Sequence, residues 1–128
     1  LNGSPRKEGC TYTALIQIAG VLEKNGIESE IFQAGTPELE NVRAAAEKMK
    51  EADALIVGSP VYWASQAADI EFMDKFCSLA GKDMLLKPAA AIASARRAGT
   101  QQPWMPLKIL FIPPDANRFF QLLEYGTR

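Results

Sequence analysis

Residues 51–65, EADALIVGSPVYWAS, contain the pattern that decides the fold. The continuous apolar run at residues 54–57 stops at Gly58. Such a run predicts a short strand buried on both faces, which is typical of a parallel sheet covered by helices. We therefore expect an α/β protein with three layers, in which a doubly wound parallel sheet lies between two helical layers.

Helical and extended patterns alternate on both sides of this strand. Asn25 and Gly26 mark the end of the first helix, since glycine readily adopts the left-handed conformation that closes a helix. The spacing of apolar residues predicts helices at residues 11–24, 37–51, 66–80 and 115–125, and strands at residues 27–32, 54–57, 88–94 and 107–112. Alternating strands and helices again indicate parallel pairing.

Three places do not fit a complete parallel sheet. A strand is expected before Asn2, yet the sequence gives only Leu1 there. Too few residues separate Ser94 from Leu107 for a parallel crossover, which needs about a dozen or more. The link at residues 33–36 is also short. We expect that an N-terminal strand and parts of the loops near 33–36 and 100–107 are missing from this sequence. The alternative is a permuted chain in which residues 107–112 form the first strand.

The composition predicts one domain. The sequence has 128 residues, 48% apolar and 23% charged, which is enough for a single core over residues 1–128. Its formal net charge of -1, without a basic stripe, argues against nucleic acid as a partner. No apolar run approaches the roughly 20 residues of a membrane span, and no leader peptide is visible. We expect no membrane partner and a cytoplasmic location.

The side chains offer little chemistry of their own. Histidine is absent, and Cys10 and Cys77 lie far apart. Without histidine, this sequence cannot form a serine–histidine triad or most catalytic zinc sites. The cysteine spacing predicts neither a disulfide framework nor a metal site. We therefore expect no catalytic side chain and no metal, and a bound cofactor that supplies the chemistry.

The tripeptide Gly-Ser-Pro occurs twice, at residues 3–5 and 58–60, and each copy is predicted where a strand gives way to a helix. Ligands of doubly wound sheets lie beyond the carboxyl ends of the strands, so turns on neighbouring strands would form two walls of one crevice. A single copy could be ordinary loop punctuation. Two copies favour a binding site.

The first turn has the properties of an anion site. Amides at the start of the helix after Cys10 lack intrahelical acceptors, and the helix dipole adds partial positive charge. It is not a Walker loop, because Gly9 is followed by Cys10 and Thr11 rather than by lysine and a hydroxyl residue. The side chains that would add donors or charge are Ser4, Arg6, Lys7, Thr11, Tyr12 and Thr13.

The second and third turns suit a flat ring. Tyr62 and Trp63 lie beside small residues, although core or subunit contacts are the alternative for both. In the third turn, SARRAGT at residues 94–100, each arginine could face a negative ring or a second phosphate, or be an ordinary solvated charge. The candidate contacts are Pro60, Val61, Tyr62, Trp63, Ala64, Ser65, Ser94, Ala95, Arg96, Arg97 and Gly99.

Three segments, NGSPRKEGCTYTAL, EADALIVGSPVYWAS and KPAAAIASARRAGT, resemble the flavodoxin-like NADPH-dependent FMN reductase family, including its iron-sulfur flavoprotein branch. The resemblance implies a five-stranded parallel sheet in the order 2-1-3-4-5 with noncovalently bound FMN. It implies that the FMN phosphate is bound by Ser4, Arg6, Thr11, Tyr12 and Thr13. It also implies that the isoalloxazine ring lies on residues 60–65 and that residues 94–100 cover the opposite side of the ring. The stretch FQAGTPELE has no cysteine, so no iron-sulfur cluster is predicted.

The resemblance implies an oxidoreductase that passes electrons from NADPH or NADH through FMN to a quinone, a metal ion or free flavin. Two alternatives remain: a flavodoxin-type electron-transfer module without hydride chemistry, and a flavin-less partner-binding domain. The apolar and aromatic segment at residues 107–128 suggests a subunit interface, and hence a homo-oligomer, although an ordinary strand and closing helix would explain it as well.

Overall fold

The structure is a computed structural model that describes residues 1–35, 37–62, 65–66, 70–95 and 120–126, with the backbone alone for residues 61–62, 65–66, 70, 95 and 120–126. The helices are α1 (Cys10–Lys24), α2 (Leu39–Glu51) and α3 (Ile70–Ala80), and the strands are β1 (Leu55–Tyr62), β2 (Ser65–Gln66), β3 (Ala89–Ala95) and β4 (Phe120–Gly126).

The four strands form one sheet in the order β2-β1-β3-β4. Strand β3 pairs in parallel with β1 on one side and with β4 on the other. The two-residue β2 turns back antiparallel onto the end of β1. The chain is thus an α/β protein with parallel strands, which confirms the predicted class.

Alternating side chains of β1 and β3 reach two separate cores. Val57 and Ala91 belong to a core built with α2 and α3, whereas Ile92 packs with Ala14 and Leu15 of α1. Because successive side chains of a strand point to opposite faces, the helices cover both faces of these strands. The larger core includes Phe72, Met73 and Phe76 of α3 and Val42, Ala45, Ala46 and Met49 of α2.

The N-terminal segment lies beside β1. Asn2 forms parallel bridges to Gln33 on one side and to Gly58 on the other. These contacts are single bridges rather than strands of several residues. The five-strand order 2-1-3-4-5 therefore stays a prediction.

Most predicted elements in the first 95 residues are confirmed with small changes in their ends. Helices α1 and α2 begin at Cys10 and Leu39, and strands β1 and β3 cover the predicted runs. Helix α1 ends as predicted, because Gly26 has a φ of 77° and Ile27 N–H donates to Leu22 O at 3.0 Å. The third helix is predicted from Gln66, but Gln66 belongs to β2; residues 67–69 lie outside the described residues, and α3 is described from Ile70.

Three predictions about the elements are wrong. Residues 27–32 form no strand; residues 27–30 are exposed, with Ile27 52% exposed, whereas Ile31 and Phe32 are half-buried against the two cores. Residues 120–125 are not helical but belong to β4, where pairing with β3 satisfies the backbone. The second Gly-Ser-Pro lies inside β1, which continues to Tyr62. The predicted strand at 107–112 and residues 115–119 lie outside the described residues.

The parallel connection that follows β3 is longer than the predicted strand at residues 107–112 would allow. Strand β3 ends at Ala95 and β4 begins at Phe120, so residues 96–119 are available for the parallel connection. None of the helices in the described ranges has both the length and the apolar character that crossing a membrane requires.

Helix α1 approaches β1 so closely that only glycine fits at position 58. A Cβ atom built there would lie 2.8 Å from Thr11 Cγ2 and 3.2 Å from Leu15 Cδ1. Both side chains are buried, at 1% and 5% exposure, so neither can easily move aside. This contact fixes the start of α1 against the middle of the sheet.

Gly58→Ala is expected to lower the free energy of unfolding by about 1–3 kcal/mol, because the added methyl overpacks this contact. Gly20→Ala is the matched control: it lies in α1, and a methyl there meets nothing within 4 Å. The control should raise the free energy of unfolding by about 0.5–1 kcal/mol through helix propensity. Urea titrations would measure both, and a Gly58→Ala protein as stable as the parent would contradict the close approach.

Candidate functional site

The two Gly-Ser-Pro segments lie side by side. Gly3 N–H donates to Gly58 O at 2.7 Å, and Gly58 N–H donates to Leu1 O at 2.9 Å. The first segment continues into the loop at residues 4–9, which leads into α1. The two motifs are therefore neighbours, as predicted, although the second copy is part of strand β1 and not a turn.

The loop at residues 4–9 is held by polar side chains beneath it. Asn2 is fully buried; its Oδ1 accepts from Ser4 N–H at 3.1 Å, and its Nδ2 donates to Lys7 O at 3.4 Å. Ser4 is 4% exposed, and its Oγ accepts from Arg6 N–H at 3.1 Å. The side chains of Arg6 and Lys7 are exposed on the outer side of this loop.

The start of α1 presents unused donors. Gly9 is the N-cap residue and provides no side-chain hydrogen bond. Within the described residues, the amides of Cys10, Thr11 and Tyr12 have no hydrogen-bond acceptor, whereas Thr13 N–H donates to Gly9 O. Three such amides and the positive end of the helix dipole favour an anion at this point.

The predicted hydroxyl donors differ in their availability. Thr13 Oγ1 donates to Gly9 O at 3.2 Å, so its proton is used within the loop. Tyr12 is half-buried and Ser4 is buried. Thr11 is 1% exposed and its Oγ1 lies 2.8 Å from Ser94 Oγ, which leaves one of the two hydroxyl protons for another acceptor.

The Thr11 to Ser94 contact links the first predicted turn to the third. Thr11 is in the first turn of α1, and Ser94 lies near the carboxyl end of β3. Ser94 is also the residue that pairs in register with Pro60 of β1. The three sequence motifs thus converge at one edge of the sheet.

The remaining predicted contacts are placed only in part. Ser59 and Pro60 are buried in β1, and Ser59 Oγ donates to Pro60 O at 3.1 Å. Val61 and Tyr62 pair with Gln66 and Ser65. Ala95 ends β3, opposite Gly126 of β4. The predicted residues outside the described ranges are Trp63, Ala64, Arg96, Arg97 and Gly99.

The two cysteines differ in exposure. Cys10 is exposed at the start of α1, whereas Cys77 of α3 is half-buried. Burial, with a smaller contribution from the Asp74 charge, raises the pKa of the Cys77 thiol to about 11. Cys77 is therefore a neutral thiol near neutral pH. The described ranges contain no group of three or more His, Cys, Asp or Glu side chains arranged to hold a metal ion.

Sequence reasoning missed the two amide side chains that hold the loop. Asn2, two residues before Ser4, has the spacing of an Asx-turn, a local signal that could have been recognised. Gln33 contacts the same loop, because its Nε2 donates to Ser4 O at 2.6 Å. No local pattern could have identified Gln33, since its partners are far away in the sequence.

Comparison with known proteins relates this chain to a protein family and to a named relative. A family model described as NADPH-dependent FMN reductase matches residues 1–116. An iron-sulfur flavoprotein of Methanocaldococcus jannaschii is 31% identical over 123 residues, covering 80% of this chain. The match covers 64% of the relative's length, so the chain spans less than two thirds of that protein.

The Thr11 to Ser94 contact can be tested by a double-mutant cycle. Thr11→Val alone should lower the free energy of unfolding by about 1–3 kcal/mol, because it leaves the buried Ser94 hydroxyl without this partner. Thr11→Ser, which keeps the hydroxyl, is the control. With Ser94→Ala in the same protein, Thr11→Val should cost less, giving a coupling energy of about 1 kcal/mol by urea unfolding. Strictly additive effects would show that the two hydroxyls do not interact.

Proposed function

The chain belongs to the NADPH-dependent FMN reductase family, and from this premise we propose that it is an FMN-binding, NAD(P)H-dependent oxidoreductase that delivers electrons to a small acceptor. The acceptor class we propose is a quinone, a metal ion or free flavin. One observation of the structure carries the proposal: the start of α1 offers three amides without acceptors among the described residues, beside an exposed loop that carries two cations.

The donor set fits the phosphate group of FMN. The amides of Cys10, Thr11 and Tyr12 supply three donors, and the hydroxyl proton of Ser4 has no acceptor among the described residues. Arg6 supplies a full positive charge at the exposed side of the loop. Dipoles and cations of this kind favour a phosphate dianion, and the amides are already aligned by the helix.

We place the ring of FMN by family membership at residues 60–65 and 94–99. The hairpin of β1 and β2 supports this assignment, since Pro60 of β1 pairs with Ser94 near the end of β3 and β2 follows directly after β1. The proposed contacts are Pro60, Val61, Tyr62, Trp63, Ala64, Ser65, Ser94, Ala95, Arg96, Arg97 and Gly99. Backbone amides in these segments would adjust the ring's affinity for negative charge.

The protein's contribution is position and electrostatics. When bound, FMN would supply the electron chemistry, with a nicotinamide cofactor as the source of hydride. The loop at residues 4–9 and the start of α1 would hold the phosphate end. Gly58, Thr11 and Ser94 join α1, β1 and β3 in the buried interior, and this contact would hold the phosphate site in position relative to the ring site.

The similarity to an iron-sulfur flavoprotein does not lead us to propose a cluster here. Four thiolates usually hold such a cluster, and this sequence contains two cysteines. Cys10 is exposed in α1 and Cys77 lies in α3, which packs on the other face of the sheet. We propose FMN and a nicotinamide as the cofactors.

We also propose that the protein is a cytoplasmic homo-oligomer that acts on small molecules, without nucleic acid or membrane as a partner. The near-neutral charge of -1 supports the exclusion of nucleic acid. The apolar character of residues 107–128 supports self-association. Light scattering of the purified protein would measure the number of subunits.

The function is tested by adding FMN to the purified protein and recording its absorbance spectrum. We expect a flavin spectrum that remains after gel filtration and bleaches when NADPH is added under nitrogen. Retained FMN that NADPH does not reduce would indicate a flavodoxin-type electron-transfer module instead. Failure to retain FMN would contradict the proposal.

Arg6→Glu is expected to raise the dissociation constant of FMN about tenfold or more, because it replaces a cation beside the phosphate with an anion. Arg43→Glu is the matched control, since Arg43 is an exposed arginine on α2. Fluorescence titration measures both constants. An unchanged constant in Arg6→Glu would contradict the phosphate assignment, and the difference from Arg43→Glu should shrink at high salt.

A further inference from the structure

We propose that Gln33 is a positioning residue that shapes the phosphate loop for FMN. This inference rests on the proposed function and adds to it a residue that belongs to no part of the three sequence motifs. Gln33 acts through the backbone of the loop rather than through contact with the cofactor.

The side chain of Gln33 uses both ends of its amide. Its Nε2 donates to Ser4 O at 2.6 Å, and its Oε1 accepts from Asn2 Nδ2 at 2.8 Å. Asn2 in turn accepts a hydrogen bond from Ser4 N–H at its Oδ1 and donates one from its Nδ2 to Lys7 O. The two amides thus form one network, the amide bracket, which fixes the backbone at Ser4 and Lys7.

The backbone around the bracket is also fixed. Asn2 N–H donates to Phe32 O at 2.7 Å, and Ala34 N–H donates to Asn2 O at 2.9 Å. Gln33 therefore extends from a segment that is itself hydrogen-bonded to the residue it contacts. Because Asn2 is fully buried, the bracket has little freedom to rearrange.

The bracket has a specific electrostatic effect on an anion site. A carbonyl oxygen that faces a phosphate repels it, so a phosphate loop must turn its carbonyls away. Gln33 and Asn2 hold the carbonyls of Ser4 and Lys7 by donating to them. The amides at the start of α1 then remain the groups that meet the ligand.

The test compares FMN with riboflavin, which has the same ring but no phosphate. Gln33→Glu loses the donor to Ser4 O, and Gln33→Met loses both ends of the amide at similar size. We expect each variant to raise the dissociation constant of FMN about tenfold, while that of riboflavin stays within about twofold. Gln17→Glu, at an exposed glutamine of α1, is the control and should bind both flavins like the parent.

Each other outcome overturns the inference. If the affinities for FMN and riboflavin fall equally, Gln33 has a general structural role. The same conclusion follows if neither variant shows a folding transition in a thermal melt. Unchanged FMN binding would show that the bracket does not shape the site. If the parent protein binds FMN and the Gln33 variants bind it equally well, this inference alone is rejected. If the parent protein retains neither flavin, the proposed function is rejected as well.

Discussion

The structure depends on the close approach of helix α1 to strand β1 at Gly58. The absence of a side chain there lets Thr11 and Leu15 pack directly on the strand backbone. Thr11 then lies close enough to β3 for its hydroxyl to meet Ser94. One β-branched side chain thus places its methyl against β1 and its hydroxyl against β3, which joins the loop, the helix and two strands.

The candidate site is built from backbone dipoles on a base of neutral side chains. Asn2, Gln33 and the hydroxyls of Thr11 and Ser94 are polar without being charged, so they can be buried when their hydrogen bonds are made. The full charges of Arg6 and Lys7 remain exposed. This arrangement avoids the large desolvation cost of a buried cation and still directs positive potential towards the loop.

Local patterns predicted the parts of the fold that are stabilised locally. The apolar run at 54–57 and the Asn25-Gly26 helix end needed only neighbouring residues, and both are present. Residues 120–126 carry a pattern that suits a helix or a buried strand, and only the partner strand β3 decides between them.

Local patterns likewise predicted only part of the candidate site. The two Gly-Ser-Pro motifs and the start of α1 were visible in the sequence. Gln33 was not, since its contacts to Asn2 and Ser4 form only when distant segments meet. Alternation at residues 27–32 predicts a strand, but alternation alone cannot distinguish a sheet face from an irregular connection whose first four residues are exposed to solvent.

The composition of β3 has a consequence for how the protein unfolds. Ala89, Ala90, Ala91 and Ala93 have no rotamers to lose on ordering, so this strand is restrained at little entropic cost. Their methyl groups also contribute little apolar area of their own, and the larger side chains come from helices such as α3, with Phe72 and Phe76. The strand gains most of its burial only when the helices on both faces are docked, which couples the layers and favours a single cooperative transition over stepwise loss of one helix.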